Sequence, residues 1–265
     1  MDNPARRRIL LLMETDVVIV GGGLNGPALA LGLAQTGLRC VVVDALPAQT
    51  RKLRDFDGRS YALALTSRRM LTGLGLWDDL AEHAQPMTEI KVTDGRVGEA
   101  HVFWGLHFDS AEIEEGPMGY MVQDRHLRRA LIEAMAATDG VTHLAGETVT
   151  AQDETPGGVT LTLASGKTLH GSLVIGADGR SSGTATRAGI KRTGWDYAQT
   201  ALVCAIAHEK PHHGIAHQFF MPPGPLAILP LPGNVSSIVW SEQAETAAAF
   251  NAMPDTEYLT MLRPR

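Results

Sequence analysis

The sequence predicts an α/β fold in which a Rossmann-like dinucleotide-binding domain is interleaved with a second, mainly β domain. A glycine-rich turn joins an apolar strand to a helix within residues 16–44. A second apolar run ends in Asp178-Gly179, and strand-like runs separated by Pro/Gly turns fill the chain after residue 200. Because an inserted β segment separates the two motifs, the domains are expected to alternate along the chain.

The first motif begins with residues 16–20, a β-branched apolar run with the composition of a buried strand. A G-x-G-x-x-G pattern follows without a spacer. Gly21 permits the sharp turn, Gly23 lets the backbone approach a pyrophosphate, and Gly26 lets the next helix pack on the sheet. The helix N-terminus supplies free N–H groups for the phosphates.

A helix over 28–36 and a second strand over 40–43 complete a βαβ unit. Asp44 follows about 20 residues after the glycines, where a carboxylate can bind a ribose hydroxyl. The unit predicts that an ADP-containing dinucleotide binds, without indicating which one. The alternative is a glycine-rich turn with no ligand.

Composition sets the broad class of the protein. With 265 residues, 44% hydrophobic content and a mean hydropathy of −0.03, the chain is expected to form one large domain or two small ones. A net charge of −6 gives no reason to expect nucleic-acid binding. Cys40 and Cys204 are interpreted as buried thiols in a reducing compartment. Residues 1–12 are predicted to be a disordered extension, and no stretch is long enough to span a bilayer.

Residues 47–58 are predicted to form a loop. Helical spacing predicts helices over 67–74, 77–83, 124–137, 246–251 and 257–262. Strand patterns occur at 89–93, 100–108, 119–122, 141–144, 147–152, 159–164, 172–175, 201–208, 216–221, 226–231 and 236–240. The three strands between 141 and 164 suggest an antiparallel meander lying over the dinucleotide sheet, and 172–175 is interpreted as another buried strand.

The second motif follows residues 173–175 and brings Asp178 to the carboxyl edge of the sheet, where open α/β sheets bind their ligands. A simple NAD-dependent dehydrogenase does not need this element. The alternative interpretation is a strand-ending turn, because Asp-Gly is a common turn dipeptide.

The paired sequences GGGLNG and GADGRSS resemble those of the aromatic-ring hydroxylases, flavoprotein monooxygenases that use FAD and NAD(P)H. Residues 59–95, 123–131 and 208–231 resemble the ubiquinone-biosynthesis hydroxylases within that group, and the resemblance covers nearly all of 13–265. It implies an FAD-binding domain of the glutathione-reductase/aromatic-hydroxylase type over 13–88 and 120–190. A β-rich substrate-binding domain, C-terminally incomplete, is then expected over 89–119 and 191–265.

The resemblance also implies which residues bind the cofactor. The glycine turn holds the FAD pyrophosphate, Asp44 holds the adenosine ribose, and two arginines approach the phosphate and ribose region. A planar guanidinium suits a diphosphate that no metal neutralises. For Arg125 the alternative is an exposed arginine at a helix start, paired with Asp124. The implied set is Gly21, Gly23, Leu24, Asn25, Gly26, Asp44, Arg59, Arg125, Val149, Asp178 and Gly179.

The function implied by the resemblance is hydroxylation of the aromatic ring of a polyprenylated phenol in ubiquinone biosynthesis, with dioxygen and with NAD(P)H as reductant. A cytoplasmic location is expected, with transient contact to the membrane or to a biosynthetic complex. The sequence identifies no catalytic acid or base and no metal-ligand pattern. Four histidines are interpreted as turn and strand residues with ordinary partners: His208, His212, His213 and His217.

Two departures from the family pattern keep alternatives open. The family carries an arginine seven positions after the motif aspartate, but this chain has Ala185 there and Arg187 two residues on, which bears on reductant docking. The sequence also reaches Arg265 without the family's Gly-Asp-Ala motif, which predicts a truncated chain. The alternatives are a truncated, non-catalytic flavoprotein fragment and an NAD-dependent dehydrogenase.

Overall fold

The computed structural model describes residues 12–51, 55–95 and 105–264, which form two compact units. The first contains the described residues of Met1–Arg54 and of Leu127–Thr193, and the second those of Asp55–His126 and of Gly194–Arg265. This alternation confirms the predicted interleaved α/β fold. The expected disordered extension, residues 1–12, lies outside the described residues apart from Leu12, which begins the first strand.

The first unit is built on one six-stranded sheet. Its strands lie in the spatial order β8-β2-β1-β11-β10-β9, of which the first four are parallel. The strands are β1 (Leu12–Val20), β2 (Cys40–Asp44), β8 (Val141–Ala145), β9 (Val149–Thr155), β10 (Gly158–Leu163) and β11 (Thr168–Gly176). The associated helices are α1 (Asn25–Gln35), α2 (Ala48–Arg51), α6 (Gly183–Arg187) and α5 (Asp124–Ala137), whose first three residues belong to the second unit.

The register of the three central strands brings their carboxyl ends to the same edge. Val20 pairs with Val43 of β2 on one side and with Gly176 of β11 on the other. Because each strand ends within one residue of these pairs, the loops that follow them emerge side by side. Branched apolar side chains such as Val18 and Val41 form the core on the sheet.

Three expectations for this unit need correction. The segments at 147–152 and 159–164 do not lie over the sheet, because the nine-residue β11 is long enough to pair with β10 as well as β1 and so extends the same sheet. The segment at 141–144 is no part of a meander, since β8 pairs parallel with β2. The run at 172–175 is not buried, as Leu173 is 53% exposed. In addition, the predicted loop at 47–58 contains α2.

The second unit contains two sheets. The six-stranded sheet has the order β12-β15-β14-β13-β5-β6, and the three-stranded sheet the order β3-β7-β4. The strands are β3 (Ser60–Ala64), β4 (Ala84–Met87), β5 (Glu89–Asp94), β6 (Gly105–Asp109), β7 (Gly119–Gln123), β12 (Gln199–Ala207), β13 (Ile215–Met221), β14 (Gly224–Leu231) and β15 (Val235–Gln243). Its helices are α3 (Leu65–Gly73), α4 (Trp77–Ala81), α7 (Ala244–Asn251) and α8 (Asp255–Leu262), with a short 3-10 helix at Ser110–Glu112.

Two apolar clusters hold the second unit together. Trp240 and Leu226 pack with Phe250 of α7, while Met121 of β7 packs with Leu231 of β14. The second cluster explains why residues 55–88 group with this unit, whereas the sequence-based boundaries put them with the dinucleotide-binding segment. The function assigned to each segment stays a prediction.

Two further predictions concern segments at the limits of the description. Of the strand predicted at 100–108, residues 100–104 lie outside the described residues, and β6 accounts for the rest. Within residues 12–51, 55–95 and 105–264, no helix is both long and apolar enough to cross a bilayer.

Candidate dinucleotide site

The two motifs are in direct contact at the edge of the first sheet. The N–H of Gly21 donates to the Val43 carbonyl at 2.8 Å, and the N–H of Ala177 donates to the Val20 carbonyl at 2.7 Å. A Cβ on Gly21 would lie only 2.2 Å from the Ala177 carbonyl oxygen. The turn after β1 therefore packs against the turn after β11 with no room for a side chain between them.

A cavity of about 420 Å³ opens where these turns meet. Six of the predicted residues line it, namely Gly21, Gly23, Asp44, Val149, Asp178 and Gly179. The space beside Gly23 is open, because a Cβ built there meets nothing within 4 Å among the described residues. The glycine turn thus leaves a concave surface into which a ligand's phosphates can fit.

The helix after the turn starts close to it. Helix α1 begins at Asn25, with Leu24 as its N-cap residue and no side-chain cap. A Cβ on Gly26 would lie 1.9 Å from the Gly21 carbonyl oxygen, so only glycine allows this approach. Because no side chain caps the helix, its first N–H groups are available to an anion.

Asp44 is a buried carboxylate beside the glycine turn, with 1% of its surface exposed. Its Oδ1 accepts the N–H of Leu46 at 3.1 Å, and His143 Nε2 lies 4.0 Å from its Oδ2. A Cβ on Gly22 would lie 2.2 Å from the same Oδ2. Gly22, which is not among the predicted cofactor-binding residues, is therefore needed for this carboxylate to lie against the turn.

The Asp178 carboxylate organises the second turn. Ser182 Oγ donates to its Oδ1, while the N–H and Oγ1 of Thr184 both donate to its Oδ2 at 3.0 Å. Burial by itself would raise the pKa of Asp178, but these hydrogen bonds outweigh it and hold the pKa below its ordinary value. Gly179 has a φ of +83°, which a turn of this shape requires. Asp178 thus fixes the backbone that borders the cavity.

The cavity is also lined by residues outside the predicted cofactor-binding set, among them Glu147, Thr148, Gly183 and Arg187. Glu147 and Thr148 precede β9, and the N–H of Glu147 donates to the Asp44 carbonyl at 3.0 Å. In the sequence, the departure from the family pattern at Ala185 distinguishes Arg187 but does not predict where its side chain lies.

The two predicted arginines belong to the second unit. Nε and Nη2 of Arg59 both donate to Asp57 Oδ2, at 2.8 and 2.5 Å, and Nη2 lies 3.7 Å from Asp124 Oδ2. The bond to Asp57 raises the pKa of Arg59. Arg125 donates from Nε to Gln123 at 2.8 Å and lies over the ring of Phe56. Contact of either arginine with a cofactor stays a prediction.

The histidines considered in the sequence have structural roles in loops and strands. Nδ1 of His212 accepts the N–H of Gly214 at 3.0 Å, so the ring's proton is on Nε2, which lies 2.8 Å from the Leu231 carbonyl oxygen. Burial lowers the pKa of His217, which favours its neutral form. Among the described residues, no three His, Cys, Asp or Glu side chains are grouped so as to hold a metal ion.

Comparison with known proteins extends these observations. The chain is 42% identical over 250 residues to the ubiquinone hydroxylase UbiL of Rhodospirillum rubrum, covering 94% of this chain and 57% of that protein. It is 36% identical over 228 residues to the 3-demethoxyubiquinol 3-hydroxylase of Escherichia coli, covering 85% and 57%. The chain therefore spans somewhat more than half the length of these curated relatives.

Solved structures share the fold. PqsL of Pseudomonas aeruginosa, in complex with 2-aminobenzoylacetate, matches with a TM-score of 0.76 and 22% identity over 93% of this chain and 65% of that chain. HpxO of Klebsiella pneumoniae, in complex with FAD and uric acid, matches with a TM-score of 0.69 and 20% identity over 87% and 56%. At these identities the likeness concerns the fold alone.

A family model described as an FAD binding domain matches residues 14–251, nearly the whole chain. Its extent includes both glycine-containing motifs and the strands between them. The match supports FAD as the cofactor and agrees with the meeting of the two motifs at one cavity. The chain therefore belongs to the FAD binding domain family, which confirms the resemblance drawn from its sequence.

Proposed function

We propose that this chain forms the FAD-binding part of an FAD- and NAD(P)H-dependent monooxygenase that hydroxylates the aromatic ring of a polyprenylated phenol in ubiquinone biosynthesis. The observation that carries the proposal is the contact between the Gly21 turn and the Asp178 turn around one cavity. A dehydrogenase that uses the first motif alone has no need for the second.

The residues of the cavity fit the adenosine diphosphate half of FAD. Gly23 leaves space for the pyrophosphate, and the uncapped start of α1 presents N–H groups to it. We expect Asp44 to accept hydrogen bonds from ribose hydroxyls, because it lines the cavity and its Oδ2 lies beside Gly22 of the turn. FAD, when bound, supplies the electron transfer and oxygen activation, while the protein binds and orients it.

The substrate class comes from the relatives. Two of them are named as hydroxylases of ubiquinone or demethoxyubiquinol, and this supports a phenolic ring with a polyprenyl tail as substrate, with dioxygen as co-substrate. NAD(P)H is the proposed reductant. A substrate with such a tail resides in the membrane, so we propose a cytoplasmic protein that contacts the membrane surface or a biosynthetic complex transiently.

The proposed function is tested in two steps with the purified chain. FAD is titrated first and followed by quenching of its fluorescence; binding is expected, whereas tight binding of NADH without FAD would favour the dehydrogenase. Aerobic consumption of NAD(P)H is then measured with a demethoxy-quinone precursor, and the product is analysed for one added oxygen. Reductant consumption that yields only hydrogen peroxide would contradict hydroxylase activity in this chain.

Asp44→Asn provides a sharper test of the proposed ribose contact. It is expected to weaken FAD binding about tenfold, since it removes a charged acceptor worth about 1.4 kcal/mol. FMN lacks the adenosine ribose, so any FMN affinity should be unchanged and serves as the internal control. An equal loss for FAD and FMN would place Asp44 away from the ribose.

A further inference from the structure

We propose that Arg187 binds the diphosphate of the dinucleotide, because among the described residues the other charged side chains that line this cavity are acids. The inference rests on the proposed FAD site and extends it. In this sequence Ala185 stands where the family carries an arginine, and the binding role is assigned to Arg187, two residues further on.

The guanidinium of Arg187 is held in place by two hydrogen bonds and keeps N–H groups that can bind a ligand. Nη1 donates to the Val149 carbonyl at 3.3 Å and Nη2 to Thr184 Oγ1 at 3.4 Å, both long for such bonds. Nε is buried and has no hydrogen-bond partner within the described part of the chain. Since each Nη carries two N–H groups and donates only one of them here, two N–H groups remain for a ligand.

The charges around the cavity favour an anion beside Arg187. Among the residues that the structure describes, the other ionisable side chains that line it are Asp44, Glu147 and Asp178. Glu147 is paired with Lys167 at 3.2 Å, and Asp178 is occupied by hydrogen bonds at its own turn. Within residues 12–51, 55–95 and 105–264, Arg187 forms no ion pair with a carboxylate. A half-buried guanidinium without an acidic partner is stabilised by an anionic ligand, and the dinucleotide supplies a diphosphate.

Gly183 is what allows the guanidinium to occupy this position. A Cβ on Gly183 would lie 2.9 Å from Arg187 Nη1, so the side chain folds back over the first residue of α6. The same helix start carries Thr184, which links Arg187 to Asp178 because Thr184 Oγ1 accepts from Arg187 and donates to the carboxylate. The cation and the second motif thus belong to one hydrogen-bonded group.

The test compares ligands that differ in their phosphates. FAD, ADP, NADH and adenosine are titrated into the wild-type chain and into Arg187→Gln, Arg187→Lys and Arg192→Gln, the last being a control at an exposed arginine of the same unit. Arg187→Gln is expected to weaken FAD and ADP binding by about tenfold or more, because a charge-assisted contact is lost. The adenosine affinity should change by less than about twofold, since its contacts are uncharged. The FAD and ADP affinities of Arg187→Lys should lie between those of the wild type and of Arg187→Gln, because lysine keeps the charge but lacks the planar guanidinium.

A second variant separates binding from folding. Gly183→Ala favours the helix but displaces the guanidinium, so it should weaken ADP binding without lowering the thermal unfolding midpoint. In the Arg187→Gln background it should have no further effect, since the two changes act through the same contact.

Several results would overturn the inference. Unchanged ADP affinity in Arg187→Gln, or equal losses for ADP and adenosine, would exclude the diphosphate contact. If Arg187→Gln lost affinity for NADH but not for FAD, Arg187 would bind the reductant instead. If the wild-type chain bound ADP but not FAD, the proposed function would fail while the diphosphate contact stood; if it bound neither, both would fail.

Discussion

Gly21→Ala is expected to abolish FAD binding by disrupting the turn itself. The φ of Gly21 is +121°, which alanine adopts only with strain, and an added Cβ would lie 2.2 Å from the Ala177 carbonyl oxygen. The nearest atoms belong to the backbone of Ala177 and Asp178, directly after β11. This backbone cannot move aside without breaking the register of β1 and β11. The expected loss of unfolding free energy is about 3 kcal/mol or more.

Gly23→Ala is the matched control for this prediction. Its φ lies outside the left-handed region, and the added Cβ meets nothing within 4 Å among the described residues. Chemical denaturation should therefore give a nearly wild-type stability, whereas FAD titration should show a large loss of affinity if, as proposed, the pyrophosphate occupies the open space beside Gly23. If Gly23→Ala bound FAD normally, the phosphates would lie elsewhere; if Gly21→Ala were as stable as wild type, the packing of the turns would be wrong.

Asp178→Ala is expected to cause the second large change, a loss of folding stability. It removes the acceptor for Ser182 Oγ and for both donors of Thr184, a residue that is only 5% exposed. Leaving buried donors without a partner costs about 2–4 kcal/mol in total. Asp178→Asn keeps one oxygen for Thr184 and should retain most of the stability. The free energy of unfolding from urea titration checks both variants.

The pH dependence of stability tests the same carboxylate. Because the pKa of Asp178 is lower in the folded chain than its ordinary value of 3.8, ionisation stabilises the fold. That contribution is fully present above the unfolded pKa and is lost as pH falls below about 4 through the lower folded pKa. The stability difference between wild type and Asp178→Asn should therefore shrink on acidification. A difference that stayed constant down to pH 2 would contradict this account.

Much of the site was predictable because it depends on local backbone constraints. Gly21 and Gly179 have positive φ angles that residues with a side chain rarely adopt, and Gly26 lies where a helix packs closely against a turn. Each of these requirements is met by a glycine at a defined spacing in the sequence. The roles of Gly22 and Arg187 were not predictable in this way. The first depends on where the Asp44 carboxylate lies, and the second on how a flexible side chain folds over Gly183.

The sequence by itself determined the βαβ unit, the second strand-end motif and the family, because short-range periodicity and glycine spacing encode them. Only the tertiary structure decided that β8 pairs with β2, that β9 and β10 extend the first sheet, and that Leu173 is exposed. Strand pairing and burial depend on contacts between residues far apart in the chain, and an apolar run has the same composition whichever neighbours it meets. For the same reason, the position of Arg187 in the cavity with Gly21 and Gly23 could not be predicted from the sequence.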